Sequence, residues 1–453
     1  MKKTKKHNFF PIIIALIILF FSTIIFLSIP VLYNYKSIER EIEKKFYSKF
    51  DINLKILDEI NYHFIPRPHL LVKKANLNLN VESKNSSNIE TENLKIFLST
   101  KNLYSKSNLE FEKVEITDTN FKFKLQDIKN FRNYLYDKKN NSILVKKSKL
   151  FYLDKNNNTI LICPISKLIY SINENENYKK LKIDGSIFDI NYISVWKSYD
   201  ETPQNSNTEV KFRNPNIFLK NLFEFKSSSQ FSGLSSLNFL NETITIKYNF
   251  NDQKIKIDSP NLNEKIKVKS DIELNPFFFE TDIIISEYKL NFLIDDILNL
   301  IINSNPEFLG NLNGNLRFNL NKIENDFINK GQILININEK LAEVKKSSFK
   351  IDGGTIKSKI SYKDDKGDLI FLSENILNII NKKNFAKKFQ INVRKINHVD
   401  KIYFNLQKNV DTGKISISEI KLNDIKNQNL LKQNYNINNM QELRSLLKSI
   451  LYT

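Results

Sequence analysis

Residues 51–81 read DINLKILDEINYHFIPRPHLLVKKANLNLNV, and the fold turns on how that stretch is taken. Apolar and polar residues alternate at Leu77-Asn78-Leu79-Asn80-Val81. A side-chain period of two gives a strand one apolar and one polar face. The run Ile60-Asn61-Tyr62-His63-Phe64-Ile65 is strand-like as well, and it stops at Pro66-Arg67-Pro68. Proline lacks the N–H that a ladder needs and holds the backbone extended before it, so this triplet predicts a bend between two strands or a sheet edge. Leu70-Leu71-Val72 opens the strand after the bend.

Working upstream, residues 38–50 carry IEREIEKKF and predict a helix. Before them, residues 9–29 form an uncharged run, FFPIIIALIILFFSTIIFLSI. At about 1.5 Å per residue it crosses a hydrocarbon layer of about 30 Å. Phe9, Ile12, Leu16, Leu19, Phe20, Ile24, Phe26 and Ile29 are its expected membrane-anchor residues. Ser28-Ile29-Pro30 is a poor match to a small-x-small cleavage site, so an uncleaved signal anchor is expected. Lys2, Lys3, Lys5 and Lys6 precede the span without an acid, whereas the charges after it are mixed. The positive-inside rule then keeps the N-terminus in the cytoplasm and sends the rest across.

Downstream, alternation returns at 94–98, 121–125, 181–183, 244–248, 255–257, 266–268, 316–320, 333–337, 356–362 and 415–417. It predicts roughly 18 strands in all. Helical spacing predicts short amphipathic helices at 126–138, 288–303, 373–389 and 441–452, the third capped by Ser373. The polar stretch YDETPQNSN, 199–207, is the best internal break. The expected organisation is a cytoplasmic tail (1–8), an anchor (9–33), an N-terminal β module (34–200) and a β-rich C-terminal module (201–453). One-sided strands must cover their apolar face. Folding the sheet on itself as a sandwich or barrel does so, and so does an open trough filled by lipid. Alternation alone does not choose between them.

The composition bounds the chemistry. The net charge is +19, with seven arginines among 69 basic residues spread along the chain. No dense basic stripe with aromatics is present, and nucleic acid is not an expected partner. Cys163 is the one cysteine, so no intramolecular disulfide forms. Nine glycines are too few and too scattered for a phosphate loop. His7, His63, His69 and His398 fit no zinc spacing, and Asp295-Asp296 would point about 100° apart on a helix. No catalytic, metal or cofactor-binding residue is expected.

The order of the N-terminal elements resembles the N-terminal module of the AsmA-like family of bacterial envelope proteins. The likeness rests on Ile60, Phe64, Pro66, Pro68, Leu70, Val72, Ala75, Leu77 and Leu79, after a lysine tail, one anchor and an Ile-Glu-rich helix. It extends to the strands at 94–98 and 120–121 and covers about 1–124; beyond that only the repeated strand character matches. Glycine is scarce in the C-terminal stretch, where this chain departs from that family. The resemblance implies a mainly β fold: an N-terminal transmembrane helix, then an elongated curled antiparallel sheet forming an open apolar trough, with a few short amphipathic helices. It implies inner-membrane anchoring with the bulk in the periplasm, kinship to chorein-type bridge lipid-transfer proteins, and a non-enzymatic role in phospholipid transfer and outer-membrane assembly. Phospholipid, the inner membrane and envelope proteins are the partners so implied. Leu94, Ile96, Leu98, Phe121, Phe123 and Leu125 are the candidate groove lining. A trough makes physical sense, since each exposed CH₂ costs about 0.8 kcal/mol. Two other readings stand beside it: a closed-sandwich scaffold that holds envelope proteins, and an envelope enzyme, for which no converging residue set is found.

Overall fold

The computed structural model describes residues 10–452 apart from 79–88, 106–108, 126, 128–130, 132–133, 136–141, 155, 174–177, 189, 200–205, 214–216, 228–229, 240–241, 252, 261–264, 288–312, 323–327, 339–340, 366–367, 410–414, 427–433 and 436–439. Phe9, Leu79 and the helix expected at 288–303 lie outside the described residues. Strand takes 61% of the described residues against 21% helix, so the chain is mainly β. The chain separates into two units, Met1–Ile187 with Asn191–Val210, and Phe188–Ile190 with Lys211–Thr453.

The first unit opens with α1 (Phe10–Ser28), continued by a 3₁₀ turn, Ile29–Leu32. Nineteen residues rise about 28 Å at about 1.5 Å each. The stretch Ile13–Leu32 is long and apolar enough to cross a membrane, and it is almost uncovered by protein. Leu16, Leu19, Phe20, Phe26 and Ile29 are exposed, while Ile24 is half-buried. Helix α2 (Glu39–Phe50) follows. Ile42, Phe46 and Phe50 recur every four residues, which lays them along one stripe, and all three are fully buried. Asp51 ends α2 in the left-handed region, its N–H donating to Tyr47 O at 2.7 Å.

Twelve strands come next: β1 (Asn53–Ile56), β2 (Ile60–His63), β3 (His69–Val72), β4 (Ala75–Asn78), β5 (Ile89–Thr91), β6 (Asn93–Leu98), β7 (Phe111–Thr117), β8 (Asn120–Phe123), β9 (Ser142–Leu153), β10 (Thr159–Asn173), β11 (Tyr178–Ile187) and β12 (Ile190–Ser198). A small antiparallel sheet has the order β1-β4-β5. The larger sheet runs β2-β3-β6-β7-β9-β10-β11, with β8 also on β9. Pro66-Arg67-Pro68 is the bend between β2 and β3, and His63 pairs with His69 across it. The Ile65–Pro66 peptide is cis.

Strand β13 (Ser206–Phe212) spans the division between the units. The second unit holds β14 (Phe218–Ser227), β15 (Gln230–Phe239), β16 (Glu242–Asn251), β17 (Lys254–Asp258), β18 (Ile266–Leu274), β19 (Phe277–Ile285), β20 (Gly314–Leu320), β21 (Ile328–Asn338), β22 (Leu341–Ile351), β23 (Gly354–Asp365) and β24 (Asp368–Ile379). After α3 (Lys382–Phe389) and α4 (Val393–Ile396) come β25 (Lys401–Asn409), β26 (Ile415–Leu422), β27 (Ile425–Lys426), β28 (Asn434–Tyr435) and α5 (Met440–Tyr452). Neighbours in sequence pair antiparallel from β14 to β26, except that β19 and β20 are parallel. Their shared apolar face carries Phe279, Phe318, Ile335, Leu377 and Ile402 into one buried cluster with α3 and α5. Gly353, at φ +84, makes the turn from β22 to β23, and its carbonyl accepts from the N–H groups of Ile380 and Asn381 just before α3. A Cβ at Gly353 would lie 2.4 Å from Phe385 N, so a side chain there would push α3 off the hairpin.

Four expectations need correction. The sheet is not wholly antiparallel, because β7 and β8 run parallel to β9 and β19 to β20. Parallel neighbours need a crossover, and 124–141 and 286–313 supply the connecting lengths. The helix expected at 373–389 is half strand: Ser373 lies inside β24, and α3 starts only after Asn381, whose side chain accepts from Asn384 N. Ladders to β23 and β25 hold 373–379 extended despite its helical spacing. The strand expected at 121–125 stops at Phe123, and Leu125 is helical. The described residues contain 28 strands, not roughly 18, since segments such as β15, QFSGLSSLNF, mix serine and asparagine into both faces and hide the period.

Candidate functional site: an apolar cavity in the first unit

One level of the first unit's sheet breaks step. Between β7 and β8, Asp118 takes φ 52; opposite it on β9, Lys147 takes φ 48; on β10, Ser166 drops out of the ladder between Ile165 and Lys167. Thr119 N–H donates to Ser148 Oγ at 3.1 Å, and Ser166 Oγ donates to Asp184 O at 2.7 Å, which hold the break. An extra residue reverses which parity faces inward. Before the break the inward residues are Ile116 on β7 and Ile143 and Val145 on β9; after it they are Phe121 and Phe123 on β8 and Leu150 and Tyr152 on β9. On β10 the same switch links Cys163 and Ile165 to Leu168 and Tyr170. Because three neighbouring strands slip together, the apolar face survives and the sheet bends.

Against that bend lies an apolar cavity of about 270 Å³. The small sheet contributes Leu77 and Ile89, with Ile52 just before β1; helical Phe131, Tyr134 and Leu135 form another wall, and Leu181, Ile183 and Tyr192 complete it. The hydroxyl of Tyr134 donates to Phe50 O at 2.8 Å and that of Tyr170 to Leu135 O at 3.1 Å. Both phenols are thereby turned into the wall. Burial pushes the Tyr170 and Tyr192 phenols up to about 12 and the Cys163 thiol up to about 11. These groups stay neutral at physiological pH, and the thiol is a poor nucleophile. The volume exceeds the ~150 Å³ apolar cavity that takes up benzene, and falls just short of the ~300 Å³ at which pockets for drug-sized ligands begin. That size suits part of one acyl chain.

The candidate groove residues separate here. Phe121 and Phe123 line the cavity. Leu94, Ile96 and Leu98 lie in the closed core with α2 instead, and Leu125 is buried without lining the cavity. Of the strand-motif residues, Leu70 and Val72 are in that core, Leu77 lines the cavity, Phe64 packs at the core's margin, and Pro66 and Pro68 make the bend. Wall residues that single-strand alternation did not reveal include Leu150, Tyr152, Cys163, Leu168 and Tyr170. The signal for Leu150 and Tyr152 was available in ILVKKSKLFY, 143–152, where apolar parity changes across Lys146-Lys147-Ser148-Lys149.

Elsewhere in this unit, tyrosines fasten α1. The last carbonyls of a helix lack partners inside it. Tyr62 OH donates to Leu27 O at 2.8 Å, Tyr104 OH donates to Phe26 O, and Tyr35 OH donates to Pro30 O at 2.9 Å. Tyrosine rings with polar tips suit a membrane–water boundary. Burial pushes the Tyr62 phenol up to about 12 and raises that of Tyr35 still further. Among the described residues, no three His, Cys, Asp or Glu side chains converge to hold a metal ion. Neither a protein-family model nor a curated protein matches this sequence.

Proposed function

We propose that this chain is an inner-membrane-anchored periplasmic protein of the AsmA-like kind, which shelters the acyl part of phospholipids in its β-sheet interior and takes part in lipid transfer and outer-membrane assembly without enzymatic chemistry. The observation that carries the reading is the cavity: it is uncharged, walled by aliphatic and aromatic side chains, and built in the same unit as a helix fit to cross a membrane. An acyl chain requires no more than such a wall, because its transfer from water is worth about 0.8 kcal/mol per CH₂. The one-sided apolar face of β14–β26 gives the second unit an apolar lane of its own, with Leu219, Ile257, Ile272 and Leu316 on it only partly buried. A second reading, a closed-sandwich scaffold that binds envelope proteins, is favoured by the closed core around Leu94 and Ile96.

The test is photo-crosslinking in living cells. The photoreactive benzoylphenylalanine replaces Phe123, which lines the cavity, or Phe97, which lies under the Lys113 ammonium and against His69 outside it. Phospholipid adducts at position 123 and none at 97 are expected. Equal labelling at both, or none at 123, sinks the lipid reading and leaves the scaffold.

A further inference from the structure

The segment INKKNFAKKFQINVRKINHVDK, 380–401, holds seven basic side chains and one acid, Asp400. It forms α3 and α4 with their flanks, in a part of the second unit that the proposed lipid cavity does not involve. Helix α3 buries Phe385, Ala386 and Phe389 and thereby turns Lys383 and Lys387, one helical turn apart, to solvent. Helix α4 buries Ile396 and exposes Arg394 and Lys395.

The acids around this cap are already matched. Asp400 pairs with Lys382 at 2.8 Å, Asp352 with Lys388 at 3.2 Å, and Asp424 with Lys401 at 3.9 Å. Among the described residues Lys383, Lys387 and Arg394 have no acid within ion-pair distance. Lys395 lies 5.7 Å over the Tyr452 ring, whose hydroxyl accepts from Asn392 N at 3.0 Å. Apolar side chains stand out among these cations: Ile380 is 73% exposed, and Val393 and Tyr452 are exposed beside each other's elements. Ile425, 75% exposed, opens β27 just after the turn that Asn423 fastens to the His398 carbonyl.

Exposed lysines and an arginine without acids, interleaved with aliphatic and aromatic tips, match one surface chemistry. Anionic headgroups neutralise the cations, and the apolar tips reach the acyl boundary beneath them. An acidic protein would satisfy the charges but leave Ile380 and Ile425 in water unless it also offered fitted pockets. We infer that the α3–α4 cap of the second unit docks on a bilayer surface bearing anionic phospholipid, a contact separate from the one α1 makes.

The full chain reconstituted through α1 into phosphatidylcholine vesicles is mixed with labelled second vesicles, either of phosphatidylcholine alone or with phosphatidylglycerol added. Co-flotation of the two populations reads the docking. It is expected only with phosphatidylglycerol and is expected to be lost in high salt. Each charge reversal among Lys383→Glu, Lys387→Glu and Arg394→Glu should weaken it roughly fivefold. Ile380→Ser with Val393→Ser should weaken it without changing its salt dependence. These residues are exposed, so wild-type thermal unfolding is expected and checks the fold. Equal flotation with neutral vesicles, or reversal of all three charges without effect, overturns the inference. Phospholipid adducts at position 123 report on the cavity independently, so either idea can fail without the other.

Discussion

In the second unit, β23 and β24 keep one register through twelve consecutive pairs, from Gly354 against Ile379 to Asp365 against Asp368. In the first unit, β9 and β10 pair at four positions, from Ile143–Tyr170 to Lys146–Lys167, then leave Lys147 and Ser166 out of the ladder and resume in the same register at Ser148–Ile165, while β10 shifts register against β11 at Ser166. An unbroken ladder gives a lane whose apolar face is closed from outside, here by Phe385 and Phe389 of α3. A ladder that skips on three neighbouring strands bends, and the bend leaves room between the large sheet and the small one. The same alternating chemistry thus makes a covered lane in one place and a cavity in another, and a single residue per strand decides which.

Inserting one alanine between Lys149 and Leu150, just past the break, attacks that difference most directly. It would turn Leu150 and Tyr152 to the outside, each worth about 1.5–3 kcal/mol of burial. A loss of about 3–6 kcal/mol in the first unit is expected, read as a lowered denaturant midpoint and as early amide exchange in β9 and β10. Unchanged exchange there would mean that the skip does not set which face points inward.

How far the sequence reveals each region follows from the same contrast. Period-two runs at 94–98, 244–248 and 333–337 lie within β6, β16 and β21, because each run stays in phase from end to end. The Pro66-Arg67-Pro68 bend and α2 were equally plain, since proline geometry and the Ile42-Phe46-Phe50 stripe are local signals. The cavity was half legible. Phe121 and Phe123 stand out in one strand, but Tyr170 enters only through a skip at Ser166 matched by one at Lys147, and no single segment carries a pairing. Leu94 and Ile96 have the same alternation as Phe121 and Phe123, yet they are sealed in the core that Ile42, Phe46 and Phe50 share. Alternation identifies a face and not what lies over it. At 373–379 the spacing suggested a helix, and two flanking ladders outweighed it.

The covered lane has its own point of failure. Phe389, the last residue of α3, is fully buried in the cluster that also holds Ile351, Leu377 and Ile402. Phe389→Ala should cost about 3–5 kcal/mol. Exchange is expected to rise in β22 to β24 while β6, β7 and β9 stay protected, since the two units have separate buried clusters. Equal loss of protection in both clusters would show that they unfold as one body, and the contrast between them would then be geometric only.

The smallest effect tests how firmly the cavity-bearing unit holds its anchor. Tyr62→Phe removes one donor from Leu27 O while keeping the ring, and a neutral hydrogen bond of this kind contributes about 0.5–1.5 kcal/mol. Amide exchange over 27–33, with the full chain in a lipid nanodisc, should quicken by a corresponding amount. The phenol is held protonated mainly by burial, and repulsion from the phenolates of Tyr104 and Tyr33 adds to this. Its folded value, about 12, lies above the value of about 10 for an unfolded tyrosine. The linkage therefore leaves its contribution intact below about pH 10 and removes it as pH rises through about 12. Wild-type fastening should loosen across that window, and Tyr62→Phe should loosen less, the remainder coming from Tyr35 at still higher pH. The same alkaline profile in both proteins would mean that the Tyr62 hydroxyl does not help to hold α1 on the sheet.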